Sequence, residues 1–283
     1  AGMHNILMEG SPGCGKSMIA KRLRYILPPM SVDEILKFAM LDFLEGKESD
    51  FSAKRPFRSP HNNSTRSALL GGGSKEGQIG EVALSSGGIL WLDELPHFDK
   101  TLIEGLREPL ENYRILISRV NSKIDYDADF MFVGSMNPCP CGNLLSKTKE
   151  CRCKESEIQR YKNRLSEPFL DRMDIFVQME EFSEAGKSDI TSNEMFDNVI
   201  KAFSAQMKRG GKLNSRLSDK ELAGLEITDE ATDMLQKAGA RFAMSARSSA
   251  KTLKVARTIA DLEDSIKVEK PHILEALSYR KRG

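Results

Sequence analysis

Short apolar runs, separated by polar, glycine-rich and helix-like pieces, mark the chain from residue 1 to about 182. They predict strands over Asn5 to Glu9, near Phe57, and over Ile89 to Leu92, Phe130 to Ser135 and Ile175 to Met179, as in a parallel sheet flanked by helices. Beyond Glu184 the apolar positions recur at helical period, over Ile190 to Lys208, Thr228 to Gly239, Ala246 to Leu262 and Lys270 to Leu277. Gly210-Gly211 and Gly224 break that series, and the polar stretch Ser183 to Asp189 reads as a hinge. The expectation is an α/β unit over 1–183, built on a parallel sheet, followed by a small all-helical unit over 184–283. The sequence contains no internal repeat and no low-complexity tract.

A length of 283 residues suits one large or two ordinary domains with ample core. The formal net charge of +1 argues against a uniformly basic nucleic-acid binder, but leaves room for charge concentrated on one loop or pore surface. There is no basic-then-apolar leader and no apolar run long enough to cross a bilayer, so a soluble, cytoplasmic protein is expected.

Gly10, Ser11, Pro12, Gly13, Cys14, Gly15, Lys16 and Ser17 fit the phosphate-binding pattern G-x-x-x-x-G-K-[ST], between the strand Asn5 to Glu9 and a helix-like stretch from Met18 to Leu27. Glycines let backbone N–H groups close around a phosphate, Lys16 reaches the β- and γ-phosphates, Ser17 ligates Mg²⁺, and the positive helix end favours the anion. Met18 opens that helix and is counted with the loop as nucleotide-binding, and Cys14 is a filler by position. Because the loop begins so close to residue 1, a fragment of a longer protein is expected.

Ile89 to Leu92 runs into Asp93 and Glu94, which places two carboxylates at the carboxyl edge of the sheet beside that loop. Asp93 would hold the Mg²⁺ shell and Glu94 would polarise an attacking water; the alternative is a solvated acidic turn. Asn137 lies just past the strand Phe130 to Ser135. If that strand runs between those of the phosphate loop and Asp93, as in additional-strand P-loop ATPases, Asn137 can orient water; otherwise an Asn before Pro138 is a turn residue. Arg172 precedes the last strand, at a sheet edge from which its own phosphates are out of reach. It suits a finger on a neighbouring subunit's ATP, or else a salt bridge to Asp171 or Asp174. Arg247 opens a helix, where a cation is disfavoured unless an anion is near, so a phosphate contact is expected. Lys251 and Lys254 share its face and read as solvated.

The series Gly10 to Ser17, Asp93-Glu94, Asn137, Arg172 and Arg247, with a helical lid after the sheet, resembles AAA+ ATPases. More narrowly, Arg55-Pro-Phe-Arg-Ser-Pro-His61, Leu69-Leu-Gly-Gly-Gly73, Gly80-Glu-Val-Ala-Leu84, Leu92-Asp-Glu-Leu-Pro96, Asn137-Pro-Cys-Pro-Cys-Gly142 and Ala256-Arg-Thr-Ile-Ala-Asp-Leu262 resemble the magnesium-chelatase-like ComM/YifB branch, over essentially the whole chain. The resemblance implies a five-stranded P-loop sheet, a sensor-1 role for Asn137, an arginine finger for Arg172 and a sensor-2 role for Arg247. It implies ATP and Mg²⁺ as cofactors and a ring, a hexamer, with each ATP sandwiched between subunits. ComM-like proteins are associated with natural transformation, the branch is similar to ring helicases that drive branch migration of DNA, and its members usually carry an N-terminal Lon-protease-like domain. It further implies a helix-2 insert near 71–80 and a hairpin insert near 114–126, turning at Asn121-Ser122 and facing the pore. Lys75, Arg119 and Lys123 are then candidate contacts to single-stranded or branched DNA, or else ordinary surface cations.

Cys139 and Cys141 form one close pair, and Cys151 and Cys153 another, within a polar, basic loop over 139–153. In a reducing compartment four such thiols suit structural, tetrahedral Zn²⁺ better than disulfides. Three functions compete. An ATP-driven DNA motor is favoured by the cysteine quartet and the run Arg55 to His61. A chelatase-type motor subunit that remodels a metal-inserting partner fits the shared inserts and near-zero charge, and a nucleotide-gated assembly module is disfavoured by the intact Glu94.

Overall fold

The computed structural model describes residues 1–72, 78–118, 123–181 and 190–280. Lys75, Arg119, the turn at Asn121-Ser122 and the hinge over 183–189 lie outside the described residues. Strands β1 (Ile6–Gly10), β2 (Phe57–Arg58), β3 (Ile89–Leu92), β6 (Met131–Met136) and β7 (Ile175–Met179) form one five-stranded sheet in the order β2-β3-β6-β1-β7. Every pairing in it is parallel. The expected strands are all present, with ends shifted by a residue at β1 and β6. Strands β4 (Arg114–Ser118) and β5 (Lys123–Asp127) pair antiparallel as a separate ribbon, Arg114 opposite Asp127.

Both faces of the sheet are covered, which is why its strands read as unbroken apolar runs. Alternation sends Leu7, Leu90, Leu92 and Phe132 to one core and Met8, Ile89, Trp91, Met131 and Val133 to the other. Phe132 meets Phe169 edge-to-face on the first side, with ring centroids 5.7 Å apart. Helix Lys16–Leu23 starts two residues earlier and ends four earlier than its apolar pattern implies. Gly15 opens it in the left-handed region, and Pro28-Pro29 disfavour helical backbone just beyond it. Helix Val32–Leu44 has no buried residue; Val32, Leu36, Met40 and Phe43 are all exposed along it.

The C-terminal region is helical: Ser192–Gly210, Asp219–Ala223, Asp229–Arg241, Ala246–Leu262 and Lys270–Ser278. Gly211, at φ 66°, caps the first of these in the conformation glycine takes freely. Helix Ala246–Leu262 is buried at every position from Val255 to Asp261. Its apolar side joins Ala231, Val268 and Ile273 in a third core, against which Ile175 of β7 also packs.

The polar side of the same helix holds a buried charge network. The Arg257 side chain is 1% exposed and the Asp261 side chain 2%. Arg257 Nη2 donates to Asp261 Oδ1 at 2.9 Å, and its Nη1 to the Ile266 carbonyl at 2.7 Å. Arg209 grips both oxygens of Asp261, at 2.9 and 2.8 Å, while Asn214 Nδ2 donates to Oδ2 at 2.8 Å. Thr258 carries this network to the N-terminal segment through His4 Nε2, 2.7 Å from its hydroxyl. Burial lowers the pKa of His4 despite Asp174 at 3.6 Å, and Asp174 is itself held below the usual carboxylate range by His4 and Lys251 against the opposing effect of its own burial.

Two expectations follow from these contacts. Asp261→Ala leaves two arginines short of their carboxylate and should lower unfolding stability by about 3–5 kcal/mol, read by urea denaturation. His4 binds its proton more weakly folded than unfolded, so stability should fall as pH drops below about 6.5, and the Asp174 contribution is lost at still lower pH. Thermal melts from pH 8 to 5 should show the decline, and His4→Asn should flatten its upper part.

Candidate functional site

The carboxyl ends of β1, β6 and β3 lie side by side, and each delivers polar groups to one place. The loop after β1 turns through Gly13 (φ 85°) and Gly15 (φ 91°), backbone that a side chain would strain. A Cβ on Gly10 would stand 2.7 Å from Cys14 Sγ and 2.8 Å from the Met179 carbonyl, so the loop is also closed by lack of space. Lys16 is buried, its ammonium donating to the carbonyls of Gly10 (2.5 Å) and Ser11 (2.9 Å) and to Asn137 Oδ1 (3.2 Å). Asn137 therefore stands against the loop as the strand order requires. Cys14 is buried in the core beneath, whereas Met18 is half exposed on the first helical turn.

Ser17 Oγ donates to Asp93 Oδ2 at 3.1 Å. Two hard oxygen donors beside a phosphate loop have the chemistry Mg²⁺ takes. Asp93 Oδ1 in turn accepts from the Ser135 hydroxyl and from the backbone N–H of Glu94 (3.0 Å). Glu94 is held at φ 51°, ψ 47°, a left-handed conformation that costs a non-glycine residue about 1–3 kcal/mol. Its carboxylate is solvent-facing, with Oε2 3.2 Å from His97 Nδ1.

The two predicted arginines stand elsewhere. Arg172 precedes β7, and Asn5 Nδ2 donates to its carbonyl at 3.0 Å, which fixes it at the amino end of β1. One strand length, about 17 Å, separates that end from the phosphate loop. Its side chain donates to the Arg107 carbonyl (3.1 Å), to the Pro168 carbonyl and to Glu111. The salt bridge is thus to Glu111 and not to the expected Asp171 or Asp174. Arg247 meets the other oxygen of Glu111 at 3.0 Å and Asp171 at 3.3 Å, so carboxylates supply the anion at this helix start. Burial alone would raise the Glu111 carboxyl, but Arg247 and Arg172 outweigh it and hold it below the usual range.

The family description "Magnesium chelatase, subunit ChlI" matches residues 1–186, and that of its C-terminal part matches residues 189–280. The chain belongs to the magnesium chelatase ChlI family. It is 40% identical to competence protein ComM of Haemophilus influenzae over 288 residues, covering 99% of this chain and 56% of ComM. It is 39% identical to an uncharacterized protein YifB of Salmonella typhimurium over 292 residues, 99% of this chain and 56% of the relative. An uncharacterized protein of Mycobacterium tuberculosis is 32% identical over 294 residues, all of this chain and 58% of that protein. The chain thus spans a little over half the length of these relatives.

In this ChlI-family chain the four cysteines also converge. The Sγ atoms of Cys139, Cys141, Cys151 and Cys153 all lie within 4.8 Å of one another, and three of the separations are 3.4, 3.7 and 3.7 Å. Tetrahedral zinc with Zn–S bonds near 2.3 Å sets sulfurs about 3.8 Å apart, so the thiols fit that ion. Backbone N–H groups of Asn143 and Arg152 draw the Cys141 thiol down to about 6.

Several sequence expectations need correction. Lys251 and Lys254 are not solvated: Lys251 donates to the Asp171 and Met173 carbonyls, Lys254 to that of Ser215 (3.2 Å), and burial lowers both pKa values. Arg55 is buried against the Pro28 and Gly87 carbonyls and Glu34, and Arg58 is paired with Glu81. Both arginines of that run are thus held by internal partners. Glu111, Ser135 and His97 were missed. The register setting Leu92 opposite Gly134 was the one signal for Ser135, because it brings the next residue beside Asp93.

No helix among the described residues is long and apolar enough to cross a membrane. Ser135→Ala should leave Asp93 loosely held, and hydrogen bonds to charged groups are worth about 1.5–3 kcal/mol. The Mg²⁺ concentration needed for half-maximal binding of a fluorescent ADP should rise about tenfold, with metal-free binding unchanged.

Proposed function

We propose that this chain is the ATP-hydrolysing module of an AAA+ ring motor that acts on DNA, a branch-migration helicase of natural transformation or recombination. The carrying observation is the division of charge between two ends of the sheet. Lys16, Ser17, Asp93, Glu94 and Asn137 gather at the carboxyl ends of β1, β3 and β6, while Arg172 and Arg247 gather at the amino end, one strand length away. A chain that keeps two arginines out of reach of its own phosphates is suited to lend them to another copy, so a ring, as a hexamer, completes each site.

Within that site, loop N–H groups and Lys16 bind the β- and γ-phosphates, and Ser17 with Asp93 would hold Mg²⁺, which neutralises phosphate charge. Glu94 accepts a proton from the attacking water, Asn137 orients it, and Arg172 of the neighbour, with Arg247, stabilises charge on the leaving oxygens. The name of the Haemophilus relative supports the competence setting, and exposed Lys123 on the β4–β5 ribbon supports a DNA contact. We assign structural Zn²⁺ to Cys139, Cys141, Cys151 and Cys153, and a cytoplasmic location suits ATP and reduced thiols. Residues 1–183 form the ATPase unit and 184–283 its lid.

A second reading, a chelatase-type motor that remodels a metal-inserting partner, is favoured by the family description and by the internal use of Arg55 and Arg58. One set of assays separates them. In the full-length protein, branched or single-stranded DNA should stimulate ATPase at least severalfold, and Glu94→Gln should abolish turnover while keeping ATP binding. Mixing Arg172→Ala with Lys16→Ala protein should restore part of the activity that each lacks alone. Turnover indifferent to DNA at low salt sinks the DNA motor, and no recovery in any mixture sinks the shared site.

A further inference from the structure

The cysteine cluster touches the candidate nucleotide site from two sides. Cys139 is fully buried and lies two residues beyond Asn137, whose Oδ1 accepts from Lys16. Gly142 closes the first cysteine turn by donating to the Cys139 carbonyl at 3.0 Å. At φ 81° it lies flush on the phosphate loop: a Cβ there would stand 2.6 Å from Pro12 Cδ and 3.9 Å from Asn137 Cγ. The second pair, Cys151 and Cys153, leads into helix Glu155–Lys162. That helix presents buried Tyr161 edge-on to His97, centroids 6.1 Å apart, and His97 Nδ1 meets Glu94. Lys162 of the same helix pairs with Glu9 at the end of β1, at 3.3 Å.

One ion on four thiols would therefore join two segments, one seated on Pro12 and Asn137, the other backing Glu94. In between, the chain from 143 to 150 is polar and largely exposed, with Lys147 reaching Glu180 at 2.7 Å. Little apolar burial holds it, so without a metal the two cysteine pairs have only weak contacts to keep them together.

We propose that metal binding at the cysteine cluster and nucleotide binding at the phosphate loop are positively linked, the metal setting the affinity of the loop for nucleotide. This rests on the zinc and nucleotide readings above. Ordering Gly142 and Asn137 before nucleotide arrives removes part of the ordering needed on binding, and thermodynamic linkage makes the effect reciprocal. Couplings of this kind change affinity about fivefold or more.

The test uses the full chain, stripped of metal under reducing conditions and reloaded with Zn²⁺ alone, in excess Mg²⁺, with elemental analysis of each state. Zinc-loaded protein should bind a fluorescent ADP at least fivefold more tightly than stripped protein, and saturating ADP should slow zinc transfer to a chromophoric chelator by a similar factor. Gly142→Ala keeps all four thiols but drives a methyl group against Pro12. It should retain one zinc per chain and lose at least fivefold in ADP affinity. Circular dichroism checks the fold, and if stripping unfolds the chain, zinc release with and without ADP and the zinc-loaded Gly142→Ala affinity decide alone. One zinc bound with ADP affinity and zinc release each indifferent to the other ligand overturns the linkage and leaves the metal site standing. No zinc bound after reloading overturns both, and no ADP binding in any state removes the nucleotide site and the linkage with it.

Discussion

Insertion of β6 between β1 and β3 is the constraint on which the rest depends. In a parallel sheet the carboxyl ends of neighbouring strands share one edge, so groups from three distant stretches of chain meet only if this order holds. Asn5 fixes it from the opposite edge. Its Oδ1 accepts from Phe132 N–H at 3.1 Å, its Nδ2 donates to the Arg172 carbonyl at 3.0 Å, and its own N–H donates to Asp174 at 2.9 Å. One buried amide thus aligns β6, β1 and the approach to β7. The same alignment that brings Asn137 to Lys16 also holds Arg172 a strand length from them.

What could be read in the sequence follows from which forces are local. The sheet strands were legible because two covered faces make each an apolar run, and the phosphate loop because glycine at positive φ and lysine have no substitutes there. Helix Ala246–Leu262 was legible to the residue, since Ser245 caps it and its period is unbroken. Charged side chains were another matter. Lys251 and Lys254 looked like solvated cations, yet each is satisfied by carbonyls that only the tertiary fold brings near. Glu111 carries no signal at all: an acid on a short helix is ordinary until two arginines from distant segments arrive on it.

The arginines themselves divide by burial, and the division bears on what each can do. Arg257 is buried and saturated, its guanidinium shared among Asp261 and two carbonyls, so releasing it would strand charge in the interior. Arg172 and Arg247 share Glu111, whose side chain is 40% exposed; Arg172 is 13% exposed and also donates to the Arg107 and Pro168 carbonyls, whereas Arg247 is 43% exposed. A partly solvated carboxylate is a weak competitor for a guanidinium, and a phosphate carrying more charge and more acceptor oxygens makes the stronger bond. Glu111 thus holds both cations in place from a partly solvated position, Arg247 with fewer other partners than Arg172.

The helical C-terminal region is tied to the same logic of position. His4, Thr258, Asn214 and Asp261 form a continuous buried polar path from the N-terminal segment into the C-terminal helices, while Lys251 and Arg247 reach Asp171, beside Arg172. The helical region and the sheet therefore meet at the amino edge, where the arginines are. Arg247 belongs to the helical region and Arg172 to the segment before β7, so Glu111, which pairs with both, ties the two regions together at that edge.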